Sequence, residues 1–165
     1  MKKIIIIMGV SGCGKTTIAK LLATELAIQF CDADDFHPKS NITKLKNNTP
    51  LNDDDRKPWL ETLSMLIKES SKFNGIVLAC SALKESYRKI LSKYTGKIEW
   101  IYLTGSFETI NKRIENREQH FMKSILLQSQ FDTLEIPSYG IHIDIEQEEK
   151  EIITEIIEKL RANNA

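Results

Sequence analysis

The chain has 165 residues, 41% of them apolar and 28% charged, and its 23 Lys plus Arg are balanced by 23 Asp plus Glu. That length and composition suit one compact domain with a real core, here taken as residues 1–165, and exclude an intrinsically disordered chain. A formal charge of zero argues against nucleic acid or an anionic membrane as the main partner.

The opening run Ile4 to Met8 is continuously apolar and β-branched, as in a parallel strand covered on both faces. It is too short for a signal peptide and runs straight into a glycine-rich loop. From Lys15 to Leu26, Ile18, Ala19, Leu22, Ala23 and Leu26 recur at helical spacing. Ile28 to Cys31 reads as a second strand, Asp32 to His37 as a functional loop, and Pro38 to Lys46 as a short helix ending at Asn47-Asn48-Thr49-Pro50. Asn52 to Asp55 has the chemistry of a helix N-terminus, with Pro58 in the first turn and Trp59, Leu63, Leu66 and Ile67 as its buried stripe.

Ile76 to Ala79 gives a third strand, Lys84 to Ser92 a helix, Trp100 to Leu103 a fourth strand and Phe107 to Arg117 another helix. Glu118 to Ser124 is polar and reads as mobile; a helical stretch then runs to Leu134, before Pro137. Ile141 to Ile145 is a fifth strand, and Ile152, Ile153, Ile156, Ile157 and Leu160 mark a last helix. Strands alternating with helices place the chain in the α/β class with a parallel sheet. No apolar run is long enough to span a bilayer. Cys13, Cys31 and Cys80 lie far apart without a C-x-x-C pair, which argues against a zinc site or disulfide framework and for reduced thiols in the cytoplasm.

Gly9-Val10-Ser11-Gly12-Cys13-Gly14-Lys15-Thr16 fits G-x-x-x-x-G-K-[ST] between a buried strand and a helix, the context this phosphate loop needs. The glycines let backbone N–H groups turn toward phosphates, the helix N-terminus adds a favourable dipole, Lys15 brings a mobile positive charge, and the Thr16 hydroxyl can ligate Mg²⁺. The loop alone does not separate a kinase from a GTPase switch or an ATPase motor. A guanine-reading Asn-Lys-x-Asp segment does not occur.

Asp32-Ala33-Asp34-Asp35-Phe36-His37-Pro38 follows the second strand, at the sheet edge where ligands bind. Two carboxylates at i and i+2 of an extended segment point the same way, one toward a metal shell and the other toward an acceptor hydroxyl. Capping of a short helix by Asp34 or Asp35 is the lesser alternative to these roles, and His37 can equally be a packing residue. Arg56, Lys84 and Arg88 would suit an anionic acceptor, or form a solvated face. Arg113 and Arg117 share a helix face at the start of the polar segment, followed by His120 and Phe121.

Taken together, these pieces resemble the gluconokinase family of small P-loop kinases. The resemblance rests on the phosphate loop, Asp32 to Pro38, Asn41-Ile42, Pro50 to Leu60, Cys80 to Lys84 with Tyr87-Arg88, His120-Phe121, Ser129 to Phe131 and Leu134-Glu135, spanning nearly the whole chain. It implies a three-layer P-loop kinase fold: a five-stranded parallel sheet flanked by helices, with a mobile lid over about 113–135. It also implies ATP and Mg²⁺ as cofactors, D-gluconate as the acceptor phosphorylated at its 6-hydroxyl, and a homodimer. On this basis Gly9 to Thr17, with Arg113, would hold the nucleotide, and Thr16 and Asp32 the metal. Lys15, Asp34 and Arg117 would be catalytic, and Asp34, His37, Arg56, Lys84, Arg88 and His120 would face gluconate. Cys13 stands where a small Ser or Ala is common and suggests an oxidant-sensitive loop; Gln119 stands where a Gly is common and leaves the lid geometry open. A shikimate-kinase-like enzyme would share the paired Asp residues.

Overall fold

The computed structural model describes residues 3–116 and 124–163. Five strands, β1 (Lys3–Met8), β2 (Gln29–Asp32), β3 (Gly75–Ala79), β4 (Glu99–Thr104) and β5 (Ile141–Asp144), form one parallel sheet in the order β2-β3-β1-β4-β5. The β-branched opening run therefore lies at the sheet centre: Ile5, Ile6, Ile7 and Met8 are fully buried, each worth about 2 kcal/mol in removed apolar surface. The expected fold class, five parallel strands between helical layers, is the one observed.

The helices are α1 (Lys15–Leu26), α2 (Lys39–Lys46), α3 (Asp53–Ser70), α4 (Glu85–Leu91), α5 (Phe107–Glu115), α6 (Ser124–Thr133) and α7 (Glu149–Ala162). Right-handed crossovers put α1 and α7, which touch each other, on one face, and α3, α4 and α5 on the other. The chain thus leaves β1 and β3 toward opposite faces, and this switch point is where an α/β sheet opens a crevice at its carboxyl edge. The Gly9 N–H donates to the Ser81 carbonyl across that crevice at 3.3 Å.

Two local readings need correction. Asp32 to His37 is not extended throughout: between the extended Asp32 and His37, Ala33–Phe36 is a 3₁₀ helix capped by Asp32, whose Oδ1 accepts from the Asp34 N–H at 3.0 Å. Pro58 lies in the second turn of α3, so that helix forgoes the rung to the Asp54 carbonyl. The start of α3 is otherwise as expected, closed by reciprocal bonds between Asn52 and Asp55 at 2.8 and 3.0 Å. Of the segment read as a lid, Arg113 lies on α5 and Ser124 to Thr133 form α6, packed on α5; Arg117, Gln119, His120 and Phe121 lie outside the described residues.

Candidate active site

The phosphate loop joins β1 to α1, with Gly14 as the N-cap of α1 in the left-handed conformation that its φ of 97° requires. At Gly12 (φ 80°) a Cβ would stand 2.7 Å from the Ile114 side chain, so the loop is seated directly on α5. Lys15 Nζ donates to the Val10 carbonyl at 2.9 Å. The Cys13 thiol is 1% exposed and packs against Gly9 inside the loop. Burial shields it, so the expectation of an oxidant-sensitive loop is not supported. Cys80 is also buried, its thiol pushed up to about 12 by desolvation.

Thr16 Oγ1 donates to Asp32 Oδ2 at 2.6 Å. A hydroxyl and a carboxylate side by side at the phosphate loop are hard oxygen donors. Among the described residues no group of three or more His, Cys, Asp or Glu could cage a metal ion. The Thr16–Asp32 pair fits a divalent cation held by one or two protein oxygens and by phosphate oxygens, the usual mode for Mg²⁺.

Two cavities flank the loop. The first, about 450 Å³, is lined by Ser11 and Lys15 of the loop, by Asp34, His37, Arg56 and Trp59, by Ser81, by Leu126 and Gln130 of α6, and by an apolar side that includes Ile42 and Leu51. The second, about 490 Å³, lies on the opposite side of the loop among Gly12, Cys13, Gly14, Thr17, Arg113 and the chain from Ile145 to Lys150. Arg113 Nη2 donates to the Ile145 carbonyl at 2.7 Å, which ties α5 to the end of β5.

Trp59 braces one side of the first cavity. Its Nε1 donates to the Ala33 carbonyl at 2.7 Å, pinning the 3₁₀ helix that carries Asp34, and its ring stacks on His37 at 4.2 Å. Asn41 Nδ2 donates to the Asp55 carbonyl at 2.9 Å, so the same nitrogen meets His37 Nδ1 at 3.2 Å as a donor. His37 is therefore neutral with its proton on Nε2, 3.7 Å from Asp34 Oδ1. Burial holds the His37 pKa below the ordinary value; Asp34 opposes that shift and Arg56 adds to it.

The Asp34 side chain is 84% exposed because it projects into the cavity rather than into protein. The surrounding walls desolvate it in part, and this raises its pKa above the usual carboxylate value. Lys15 pulls the pKa back down, and Asp32 pushes it further up. A carboxylate made more basic beside a phosphate-loop lysine has the character of a proton acceptor.

The three cations read together in the sequence part company. Arg56 lines the cavity and is 8% exposed. Its Nη1 donates to Tyr87 Oη at 3.2 Å, Tyr87 donates to Asp53, and Lys84 Nζ donates to Asp53 at 2.9 Å. Lys84 does not line the cavity and bears on Arg56 only through this relay. Arg88 is 2% exposed and is spent on protein: Nη1 donates to the Ala82 carbonyl at 2.8 Å, Nη2 to the Glu135 carbonyl at 2.9 Å, and Nε to Glu85 and Tyr139 at 3.0 Å. Its donors are thus engaged by protein, and it does not line this cavity. Burial demands that its donors be satisfied, and backbone carbonyls satisfy them. Ala82, one of those anchors, sits at φ 43°, a strained backbone that Arg88 helps to hold.

Spacing did not reveal Trp59 as the pin of the 3₁₀ helix, Asn41 as the setter of the His37 tautomer, Tyr87 and Asp53 as supports of Arg56, or Gln130 on the phosphate loop. Trp59 was visible as a member of an apolar stripe and of the Pro50 to Leu60 motif, without a role attached to it. The Gln130–Ser11 contact spans 119 positions, beyond any periodicity argument.

The shikimate kinase family model matches residues 11–161. A probable gluconokinase from Dictyostelium discoideum is 41% identical over 174 residues, covering 97% of this chain and 87% of that protein. The thermoresistant gluconokinase of Escherichia coli K12 is 38% identical over 163 residues, covering 96% and 93%. The crystal structure of a gluconokinase from Sinorhizobium meliloti superposes with a TM-score of 0.90 at 36% identity, covering 98% of this chain and 93% of that one. These matches run through the phosphate loop, the Asp34 turn and the Arg56 helix alike, and the chain belongs to the gluconokinase family of kinases, built on a shikimate-kinase-type domain.

Proposed function

We propose that the chain transfers the γ-phosphoryl group of ATP to the 6-hydroxyl of D-gluconate, releasing 6-phosphogluconate and ADP. The observation that carries this reading is a single cavity in which phosphate-loop Lys15, the basic carboxylate of Asp34 and the buried guanidinium of Arg56 meet. Arg56 suits the sugar acid's carboxylate, which it can take through paired hydrogen bonds. Asp34 then faces a hydroxyl near the phosphate loop and accepts its proton as the new P–O bond forms and the bond to ADP breaks. Lys15 and the loop N–H groups neutralise the charge on the transferring group.

Thr16 and Asp32 would hold Mg²⁺, which supplies charge neutralisation across the outer phosphates when bound. The second cavity, with Arg113 and Thr17, suits the nucleoside end of ATP. Arg117 and His120 enter this reading through the family resemblance alone, as lid-side groups. A homodimer and a cytoplasmic setting belong to the same reading; light scattering checks the first. No helix among the described residues is long and apolar enough to cross a membrane, and Cys13, Cys31 and Cys80 are free thiols.

A coupled ADP-release assay over a panel of sugar acids and shikimate tests the proposal. Turnover is expected on gluconate. The family model keeps shikimate as the second reading, and turnover on shikimate but not gluconate would replace the first with it.

A further inference from the structure

Helix α6 forms one wall of the acceptor cavity, where it presents Leu126 and, one turn on, Gln130. Gln130 reaches past the cavity to the phosphate loop. Its Oε1 accepts the Ser11 backbone N–H at 2.7 Å and its Nε2 donates to Ser11 Oγ at 2.9 Å. A backbone N–H can be met only by the oxygen end of the carboxamide, so the orientation of the side chain is settled by its partner. Two parallel bonds to one residue fix both the distance and the direction of the wall relative to the loop.

Ser11 is the right residue to hold for this purpose. It lines the acceptor cavity together with Lys15, whereas Gly12, Cys13, Gly14 and Thr17 line the cavity on the other side. Just past its other end α6 is moored separately: the Glu135 N–H donates to the Leu83 carbonyl at 2.8 Å, and Arg88 holds the Glu135 carbonyl. Thus α6 is fastened past its end to the segment between β3 and α4 by backbone, and to the phosphate loop by the Gln130 carboxamide.

We propose that Gln130 is a positioning residue that fastens the α6 wall to the phosphate loop and thereby keeps water from the transferring phosphoryl group. The inference rests on the phosphotransfer reading above. When the fastening is lost, water reaches the group: its oxygen forms the new P–O bond in place of the acceptor hydroxyl, its proton passes to Asp34, the bond to ADP breaks as before, and inorganic phosphate is released. Exclusion of water by closing elements is a general requirement of phosphoryl transfer.

The test measures inorganic phosphate and phosphorylated acceptor in the same reaction, with the full chain at saturating ATP and acceptor, alongside thermal midpoint and ATP affinity. Gln130→Ala is expected to raise the share of ATP lost to water about tenfold or more, with ATP affinity within about twofold of wild type. Gln130→Met, which fills the same volume without hydrogen bonds, is expected to match it and carries the test if the Ala variant fails to fold. Ser11→Ala keeps the N–H bond and is expected to raise the share less; adding it to Gln130→Ala is expected to cause no further rise. An unchanged share in folded Gln130→Ala, or wild-type behaviour in Gln130→Met, overturns the proposal. Wild-type turnover on the acceptor panel decides the functional reading separately, and the partition is measured on whichever acceptor the panel identifies.

Discussion

Replacing Arg88 by Met retains most of the aliphatic stem and removes the guanidinium. The buried Ala82 carbonyl and the part-buried Glu135 carbonyl then lose donors at 2.8 and 2.9 Å, while the Glu85 and Tyr139 contacts also disappear. Each orphaned buried acceptor costs about 1–3 kcal/mol, so the variant should be destabilised by about 3 kcal/mol. For a domain of this size that corresponds to a fall of about 6–12 °C in thermal midpoint. Thermal and urea unfolding measure the loss, and steady-state kinetics on the surviving folded fraction should show a gluconate KM within about threefold of wild type, since an effect under ~0.7 kcal/mol is expected on a cavity that Arg88 does not line. A midpoint within 2 °C of wild type, together with a gluconate KM raised about tenfold or more, would mean that Arg88 binds the acceptor and that its carbonyl contacts are incidental.

Asp34→Asn should lower turnover by about 10²–10⁴, the usual contribution of a positioned base, while ATP affinity by calorimetry stays within about twofold. Arg56→Ala should raise the gluconate KM by about 10–100-fold, the worth of a charge-assisted contact, whereas Lys84→Ala should raise it only about threefold because Lys84 acts through Asp53 and Tyr87; equal effects would contradict the relay. His37 has a pKa lowered by burial, so the folded state binds fewer protons there than the unfolded chain. The stability it lends is present above the unfolded value of about 6.5 and is lost as pH falls from there through the lowered folded value. Urea midpoints measured from pH 7.5 to 5 should show this decline, and His37→Gln should flatten it.

The fold was legible because its signals are local. A buried parallel strand announces itself as Ile4 to Met8, and the phosphate loop needs only its own eight residues between strand and helix. The placement of Asp32 and Asp34 at the site was legible too, but not their geometry: a short side chain before a Gly-free polar turn caps its own backbone, and Asp32 turned the expected extended segment into a 3₁₀ helix. The cations show the limit most clearly. Arg56, Lys84 and Arg88 carry the same charge in motifs of similar appearance, and only the three-dimensional structure separates a cavity-lining guanidinium, a surface ion pair and a buried anchor of main chain. Gln130 was beyond reach because its partner is brought to it by the whole sheet.

The acceptor cavity also has an uneven provenance along the chain. Most of its lining, from Asp34 through His37, Ile42, Leu45, Lys46 and Leu51 to Arg56 and Trp59, comes from one unbroken stretch between β2 and β3, whereas the phosphate loop and the second cavity draw on other parts of the sequence. Donor chemistry and acceptor choice are thus inherited from different pieces of the polypeptide. A kinase built this way can exchange one insert and change what it phosphorylates without rebuilding how it handles ATP, and transplanting residues 34–59 as a block is the natural way to move this acceptor preference onto a sister scaffold.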